Sequence, residues 1–359
     1  MSLGLLKRIK FRQMTIYIIL AILAIIFLRV GKNPVIYWTF FFILVVFAGG
    51  RGFATGGDTW FYYWGFLDMS QGEWFTSLIK FPEYLFAILN KIVYRLGGNY
   101  RVFLFVDAVV SLLPIFYVAR KYALRPHYVV SFFILLYFYC CFLCFTRQYC
   151  AIGYLLLAYV KLAKEDDVKG FLIFVCIATL FHGSSLAAVI VLFFRKRKYN
   201  PLWGSVLLLG SYVIGRSGMM GKVISYLVSF TGYGGYLTLN NDPSFTFNGL
   251  LVALFFSWLL YLNKDKRLFC YIIVLGITLH NMLSFEMDLA RISWSFTIVE
   301  VFLLGDIKYK KLRVQLVPIL VVYSSLVYVN MLSTNQARVM PYDFTLSATP
   351  PRGFVLDWL

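Results

Sequence analysis

Long runs of apolar residues, separated by short polar stretches, are the feature of this sequence that most limits its possible folds. Several runs approach the roughly 20 residues that an α-helix needs to cross the hydrocarbon layer of a bilayer. Charged residues make up only 14% of the 359-residue chain, against about 25% in a typical soluble domain. A chain of this kind cannot cover itself with a polar surface, and we predict an all-α, polytopic integral membrane protein.

The hydropathy pattern predicts about 12 transmembrane helices in a single transmembrane domain that covers residues 1–359. The predicted spans are 14–30, 34–49, 101–119, 127–145, 148–162, 168–182, 184–195, 201–216, 247–262, 268–284, 290–305 and 313–331. The first span follows several basic residues, as a signal peptide would, but no small-residue cleavage site follows it. We therefore interpret it as a retained helix.

Clusters of Lys and Arg predict the sidedness of the chain, because cytoplasmic loops collect basic residues. Such clusters lie near residues 120–125, 161–169, 195–198, 264–267 and 308–313. The net charge of +18 is thus explained by topology and does not indicate nucleic-acid binding. External loops are then expected at about 50–100 and 217–246, with an external C-terminal tail at 333–359. This arrangement also puts the basic segment 7–12 outside, against the charge rule, unless the first helix fails to span or the segment lies on the membrane surface.

The chain between Lys169 and Arg195 allows two interpretations. If both ends are cytoplasmic, it crosses twice in halves of about 12 to 15 residues, which are short for a bilayer at about 1.5 Å per residue. The alternative is one long span that leaves Arg195 outside. We favour a broken pair of helices that turns near His182 and Gly183, because non-helical backbone at membrane depth is tolerated where it lines a cavity.

Two groups of polar residues in the first half of the chain are candidates for chemistry. A glycine-rich stretch, 49–58, contains Arg51, which can bind a phosphate, and Asp58, which can orient the arginine or carry a proton. Arg147 stands between two predicted spans, where an arginine typically marks an anionic ligand unless it reaches the headgroups. His182, at the proposed helix break, is a candidate general base, although a lone histidine on an apolar helix is more often a packing residue.

A second group lies between predicted spans in the second half of the chain. Glu286, Asp288 and Arg291 fall within six residues of sequence, and Asp288 and Arg291 share one face of a helix, as an ion pair or a ligand site. Arg216 opens a long connection that is rich in glycine and tyrosine. No metal-ligand spacing, nucleophile elbow or dinucleotide motif is present, so we expect neither a metal nor a cofactor.

Taken in order, these motifs resemble the EpsG-like branch of the Wzy-type polysaccharide polymerases. The resemblance rests on Arg51-Gly52 with Gly57-Asp58 and Tyr62, on Arg147-Gln148 with Ala151, and on Phe181-His182 with Ser184-Ser185. A late Ala290-Arg291-Ile292-Ser293 matches the later arginine of that family. The resemblance covers most of the chain.

The resemblance implies an enzyme that joins O-antigen or exopolysaccharide repeat units carried on undecaprenyl diphosphate. It implies a multi-pass protein of the bacterial inner membrane, with a fold similar to GT-C glycosyltransferases and an active site that faces the periplasm. Arg51, Arg147 and Arg291 would bind the diphosphate, and His182 or Asp58 would be the base for the acceptor hydroxyl. Tyr62, Arg216, Glu286 and Asp288 would complete the substrate site, and a chain-length regulator is a possible partner.

Two other classes of function remain open from the sequence. A flippase of lipid-linked oligosaccharide also suits many helices and an arginine-lined cavity, but it should show internal repeats and polar residues on both sides of the midplane. The other class is a ligase or acyltransferase with a similar lipid donor or acceptor, and acyltransferases usually need a histidine with a nearby carboxylate. His182 has no such neighbour in sequence, although folding can supply one.

Overall fold

The computed structural model describes residues 3–72, 83–228, 247–307 and 310–351, and these residues form helices and no β-strand. The α-helices are α1 Leu3–Val30, α2 Pro34–Gly49, α3 Thr59–Gln71, α4 Tyr84–Arg95, α5 Tyr100–Tyr122, α6 Pro126–Leu135, α7 Phe138–Cys144, α8 Thr146–Val160, α9 Val168–Phe181, α10 Pro201–Arg216, α11 Met219–Val228, α12 Phe247–Leu262, α13 Arg267–Leu283, α14 Met287–Ala290, α15 Trp294–Thr297, α16 Val299–Gly305 and α17 Lys310–Ser333. The all-α prediction is confirmed for this part of the chain. Each predicted span coincides with one helix or with a run of short helical segments.

Several helices have the length and apolar character of membrane spans. Within the described residues, the stretches Gln13–Val30, Tyr100–Tyr122 and Leu316–Ser333 are long and apolar enough to cross a bilayer, and the pair α6 and α7, bent by 61°, adds a fourth candidate. Shorter apolar helices include α2, α9 and α13. Large apolar side chains are exposed along α1, α2 and α17, as lipid-facing helices require. The chain is therefore a membrane protein, and the count of about 12 spans stays a prediction.

The chain divides into two compact units. The first comprises Met1–Leu157, Cys176–Gly183 and Val301–Leu359, and the second comprises Ala158–Val175 and Ser184–Glu300. In the first unit α2 packs against α5, and α1 packs against α6. In the second unit α10 packs against both α12 and α13.

Helix α1 contacts both the C-terminal tail and the connection between α5 and α6. It runs without interruption from Leu3, so the basic segment 7–12 continues the helix of the first span. At the middle of α1, near the start of the predicted span 14–30, the Tyr17 hydroxyl donates to the Val339 carbonyl of the C-terminal tail at 2.6 Å. At its other end, Gly31 packs directly against the His127 side chain, beside the basic connection between α5 and α6. The tail and the basic connection thus contact α1 at positions about 21 Å apart along its axis, near the two ends of the predicted span 14–30.

The predicted helix break at His182 and Gly183 is present. Helix α9 ends at Phe181, and a 3-10 helix covers Gly183–Phe194. A 3-10 helix rises about 2.0 Å per residue, so this segment reaches about 24 Å, where an α-helix of the same length would reach about 18 Å. The 3-10 geometry therefore lengthens an apolar stretch that is short for a span.

The predicted span 290–305 is segmented in the structure. Helix α14, a 3-10 turn at Arg291–Ser293, α15 and α16 follow one another across it. The Ser293 hydroxyl donates to the Ala290 carbonyl at 2.6 Å, a local bond that competes with the regular helical pattern. Arg291 therefore sits in an irregular turn.

Candidate active site

The glycine-rich loop between α2 and α3, residues 50–58, lies along the C-terminal tail. Gly52 N donates to Asp343 O at 2.9 Å, Gly56 N donates to Arg338 O at 3.0 Å, and Thr345 N donates to Gly50 O at 2.8 Å. Gly56 has a φ of +84°, and a Cβ atom there would lie 2.2 Å from the carbonyl oxygen of Leu143 in α7. The glycine is therefore required both by the backbone conformation and by the close approach of α7.

Arg51 belongs to this loop, and its side chain is fully buried, with 0% of its surface exposed. Its guanidinium donates to the Ala48 carbonyl at 2.7 Å and to the Thr146 hydroxyl at 3.1 Å. Thr146 is the first residue of α8, so these bonds tie the end of α2 to the start of α8. In this arrangement Arg51 positions the helix that carries Arg147, and its predicted contact with substrate stays a prediction.

Arg147, Glu83 and His182 meet although they are far apart in sequence. Arg147 Nη1 donates to Glu83 Oε2 at 3.0 Å, and His182 Nδ1 lies 3.5 Å from Glu83 Oε1, at the outer limit of a hydrogen bond. The three side chains retain 36%, 18% and 28% exposure, in the order Arg147, Glu83 and His182. Unlike Arg51, they are accessible to a ligand.

Local structure explains why these three residues can converge. Glu83 precedes the first residue of α4, where a negative charge interacts favourably with the helix dipole. Arg147 is the second residue of α8, and His182 follows the last residue of α9, with its N–H donating to the Ala178 carbonyl at 2.9 Å. The cluster is thus built from three helix ends, where side chains have more space than along a packed helix.

Charges around Glu83 keep its carboxylate ionised. Burial alone would raise the pKa of Glu83, but His182 and Arg147 outweigh burial and hold the pKa below its ordinary value. The carboxylate therefore remains an acceptor for the guanidinium at neutral pH and a negative charge beside the imidazole.

Tyr62 and Asp58, both candidates from the sequence motifs, also border this cluster. The Arg147 guanidinium carbon lies 5.5 Å from the centre of the Tyr62 ring, within the range of a cation–π contact. Burial raises the pKa of Tyr62, with Arg147 and Asp58 among the charges that act on it. Asp58 is half-buried and also acts on Arg147. The structure therefore brings Asp58, Tyr62, Arg147 and His182 together around Glu83.

Glu83 is the member of this cluster that sequence reasoning missed. It lies in the predicted external loop 50–100, immediately before α4. Its contact with Arg147 joins residues 64 positions apart, which no local pattern indicates. The sequence did carry one signal: acidic residues are scarce in this chain, with 16 Asp and Glu against 34 Lys and Arg.

The remaining predicted site residues belong to the second unit. The Arg216 guanidinium carbon lies 5.9 Å from the Tyr212 ring. Glu286 is buried and its carbonyl accepts from Ala290 N at 2.9 Å, while Arg291 is half-buried. The side chain of Asp288 lies outside the described residues, as does most of the loop predicted at 217–246. A common site of these residues with Arg147 stays a prediction.

Cysteine and metal-ligand geometry add little to the candidate site. The six cysteines are free, and the Cys141 and Cys144 pair is buried. Among the described residues, no group of three or more His, Cys, Asp or Glu side chains is arranged to hold a metal ion.

Comparison with known proteins gives one match. The sequence model of the EpsG family matches residues 34–344, a range that contains the glycine-rich loop and every residue of the candidate site. Searches of curated proteins and of solved structures return no significant match.

Proposed function

The chain belongs to the EpsG family, and from this premise and the site geometry we propose how it acts. Membership of that family indicates a polysaccharide polymerase of exopolysaccharide biosynthesis. In our proposal the protein joins oligosaccharide repeat units, carried on undecaprenyl diphosphate, into O-antigen or exopolysaccharide chains. The reaction takes place at the periplasmic face of a bacterial inner membrane, in a chain of about 12 spans with a fold similar to GT-C glycosyltransferases.

The observation that carries the proposal is the Glu83 carboxylate between Arg147 and His182. A carboxylate beside one ring nitrogen of a histidine orients the ring and leaves the other nitrogen free to accept a proton. A half-exposed arginine on the other side of the same carboxylate can bind a diphosphate. The cluster therefore holds a base and an anion-binding group within one small site.

In the proposed reaction, a hydroxyl of the incoming repeat unit attacks the anomeric carbon of the growing chain. The bond from that carbon to the diphosphate oxygen breaks, and its electron pair leaves with the diphosphate. His182 accepts the hydroxyl proton, and Glu83 stabilises the imidazolium that forms. Arg147 stabilises the charge that develops on the leaving diphosphate. Asp58 is the second candidate base, and Tyr62 borders the substrate.

The other predicted residues have more distant parts in this proposal. Arg51 acts through Thr146 as a positioning residue for Arg147. Arg216 and Arg291, with Glu286 and Asp288 as polar neighbours, contribute further to binding of the lipid-linked substrate. A chain-length regulator remains a candidate partner.

A gel of surface polysaccharide tests the proposal. In a deletion strain, Arg147→Ala or His182→Ala should collapse the polymer ladder to a single-repeat glycolipid while protein levels in the membrane stay normal. Arg195→Ala is a matched control, because Arg195 forms an exposed ion pair with Asp166 outside the cluster, and it should keep the ladder. Normal ladders in both site variants would refute the proposal, and loss of all repeats from the periplasmic side would indicate a flippase.

A ligase or acyltransferase is the second candidate, because folding supplies the carboxylate beside His182 that such an enzyme needs. The same gel separates the two functions. Loss of a ligase leaves long chains on the lipid carrier, whereas loss of a polymerase leaves single repeats.

A further inference from the structure

A cavity of about 260 Å³ lies between the glycine-rich loop and the C-terminal tail, apart from the Glu83 cluster. Its walls include Phe53 and Pro341, which are apolar, and the oxygen-bearing side chains of Asp343, Thr345 and Thr349. The volume is just below the roughly 300 to 1,000 Å³ of pockets that hold drug-sized ligands. It therefore suits a single small polar ring.

The backbone around this cavity is held in place by hydrogen bonds. Gly52 N donates to Asp343 O, and the Arg101 guanidinium donates to the Ser347 carbonyl at 3.1 and 3.0 Å and to the Arg51 carbonyl at 2.7 Å. A Cβ atom at Gly52 would lie 1.9 Å from Asp343 Oδ1, so only glycine lets the carboxylate pack over the loop. The walls are therefore formed before a ligand arrives.

The side-chain oxygens of Asp343 and Thr349 remain free for a ligand. Within the described residues, the Asp343 carboxylate and the Thr349 hydroxyl have no hydrogen-bond partner, and both residues are exposed. A carboxylate accepts from two neighbouring hydroxyl groups, and apolar walls contact the C–H face of a sugar. This combination matches a carbohydrate ring.

We propose that this loop–tail cavity binds one sugar ring of the oligosaccharide substrate, away from the bond that is formed. The identity of the ligand rests on the proposed polymerase function. Asp58, at the Glu83 cluster, is five positions after Phe53, at the cavity, which limits that stretch of chain to about 18 Å even when fully extended. An oligosaccharide can therefore occupy the cavity while its reacting end lies at His182.

Cysteine protection tests this proposal. Pro351→Cys, at the cavity wall, keeps both free oxygens and is introduced into a Cys176→Ser background, because Cys176 is the exposed one of the six cysteines. The purified protein is labelled with a hydrophilic maleimide, with and without oligosaccharide released by mild acid from the host's own polymer. We expect the oligosaccharide to slow labelling severalfold. Asp343→Asn should weaken this protection by about tenfold in apparent affinity, since it removes a charge-assisted hydrogen bond.

Thr334→Cys is the matched control, because Thr334 is exposed at the end of α17 and does not line the cavity. It should be labelled at the same rate with and without oligosaccharide. Ala54→Cys is the second cavity position, and it replaces Pro351→Cys if that variant folds poorly. His182→Ala should keep the protection, because binding in the cavity needs no transfer chemistry.

Unchanged labelling at both cavity positions, in a protein that still makes polymer, would overturn the cavity proposal and leave the polymerase intact. Protection that persists while His182→Ala and Arg147→Ala still make normal ladders would support a carbohydrate site and refute the proposed transfer site instead.

Discussion

At the scale of single residues, Glu83 links the base to the anion-binding group. One of its carboxylate oxygens accepts from Arg147 and the other lies beside His182. A change at Glu83 therefore affects the orientation of the imidazole and the position of the guanidinium at the same time. Residues that act as one unit show non-additive effects when they are replaced together.

We expect Glu83→Gln and His182→Ala each to lower the polymerisation rate by about 100-fold, the usual contribution of a positioned general base. The double variant should be slower than His182→Ala by much less than 100-fold, because part of the Glu83 effect passes through the imidazole and only the part that acts through Arg147 remains. The initial rate of polymer formation by purified protein in nanodiscs measures this. Glu165→Gln, an exposed acid paired with Lys161, is the control and should keep the rate of the unmodified protein. If the loss of rate in the double variant equals the product of the two single losses, the two residues act independently.

The lowered pKa of Glu83 predicts a pH dependence of stability. An acid with a lowered pKa in the folded state stabilises the fold above its unfolded pKa, and this contribution disappears as the pH falls through the folded pKa. The Tm of the unmodified protein should therefore exceed that of Glu83→Gln at neutral pH. The difference should narrow below about pH 4.3, the ordinary value for a glutamate. Thermal unfolding in detergent from neutral to acidic pH measures it, and a constant difference would contradict the prediction.

At the scale of elements, the glycine-rich loop depends on its contact with α7. Gly56→Ala should destabilise the protein by about 1 to 2 kcal/mol through its positive φ, with a further cost of about 1 to 3 kcal/mol from the clash with the Leu143 carbonyl. Gly97→Ala is the matched control, since Gly97 has a φ of +82° but open space around its Cβ position. Thermal unfolding of both variants should show the larger loss for Gly56→Ala. Equal losses would mean that α7 does not constrain the loop.

Elements and their boundaries were more predictable than contacts. Hydropathy is a local property, so the runs that became α2, α5 and α17 could be placed from sequence, and the Gly183 signal located the helix break. The segmented turns around Arg291 were not predicted, because a hydrogen bond from the Ser293 hydroxyl to a nearby carbonyl does not change the hydropathy pattern. The Glu83 contacts depend on long-range folding. The burial of Arg51 also depends on long-range folding. An exposed arginine can bind a ligand, whereas a buried one, such as Arg51, can hold two helices together.

For the whole molecule, the first unit constrains the sidedness of the chain. The glycine-rich loop is hydrogen-bonded to the tail, and the tail contacts Tyr17 near the start of the predicted span 14–30. Gly31, at the far end of α1, lies beside the basic connection that contains Arg125. If that connection is cytoplasmic, the loop, the tail and the basic start of α1 all face outward. The charge of segment 7–12 then opposes the general rule, and five basic connections outweigh it.

This sidedness is tested by labelling intact cells with a membrane-impermeant maleimide in the Cys176→Ser background. Thr334→Cys, beside the tail, should be labelled in intact cells, whereas Glu165→Cys should be labelled only after the membrane is opened. Both positions are exposed in the structure, so accessibility alone does not separate them. The reverse pattern would put the Glu83 cluster on the cytoplasmic side, where nucleotide-sugar donors are available and a periplasmic polymerase has no substrate. Labelling of both positions in intact cells would instead mean that the basic connection 161–169 faces outward, against the predicted sidedness.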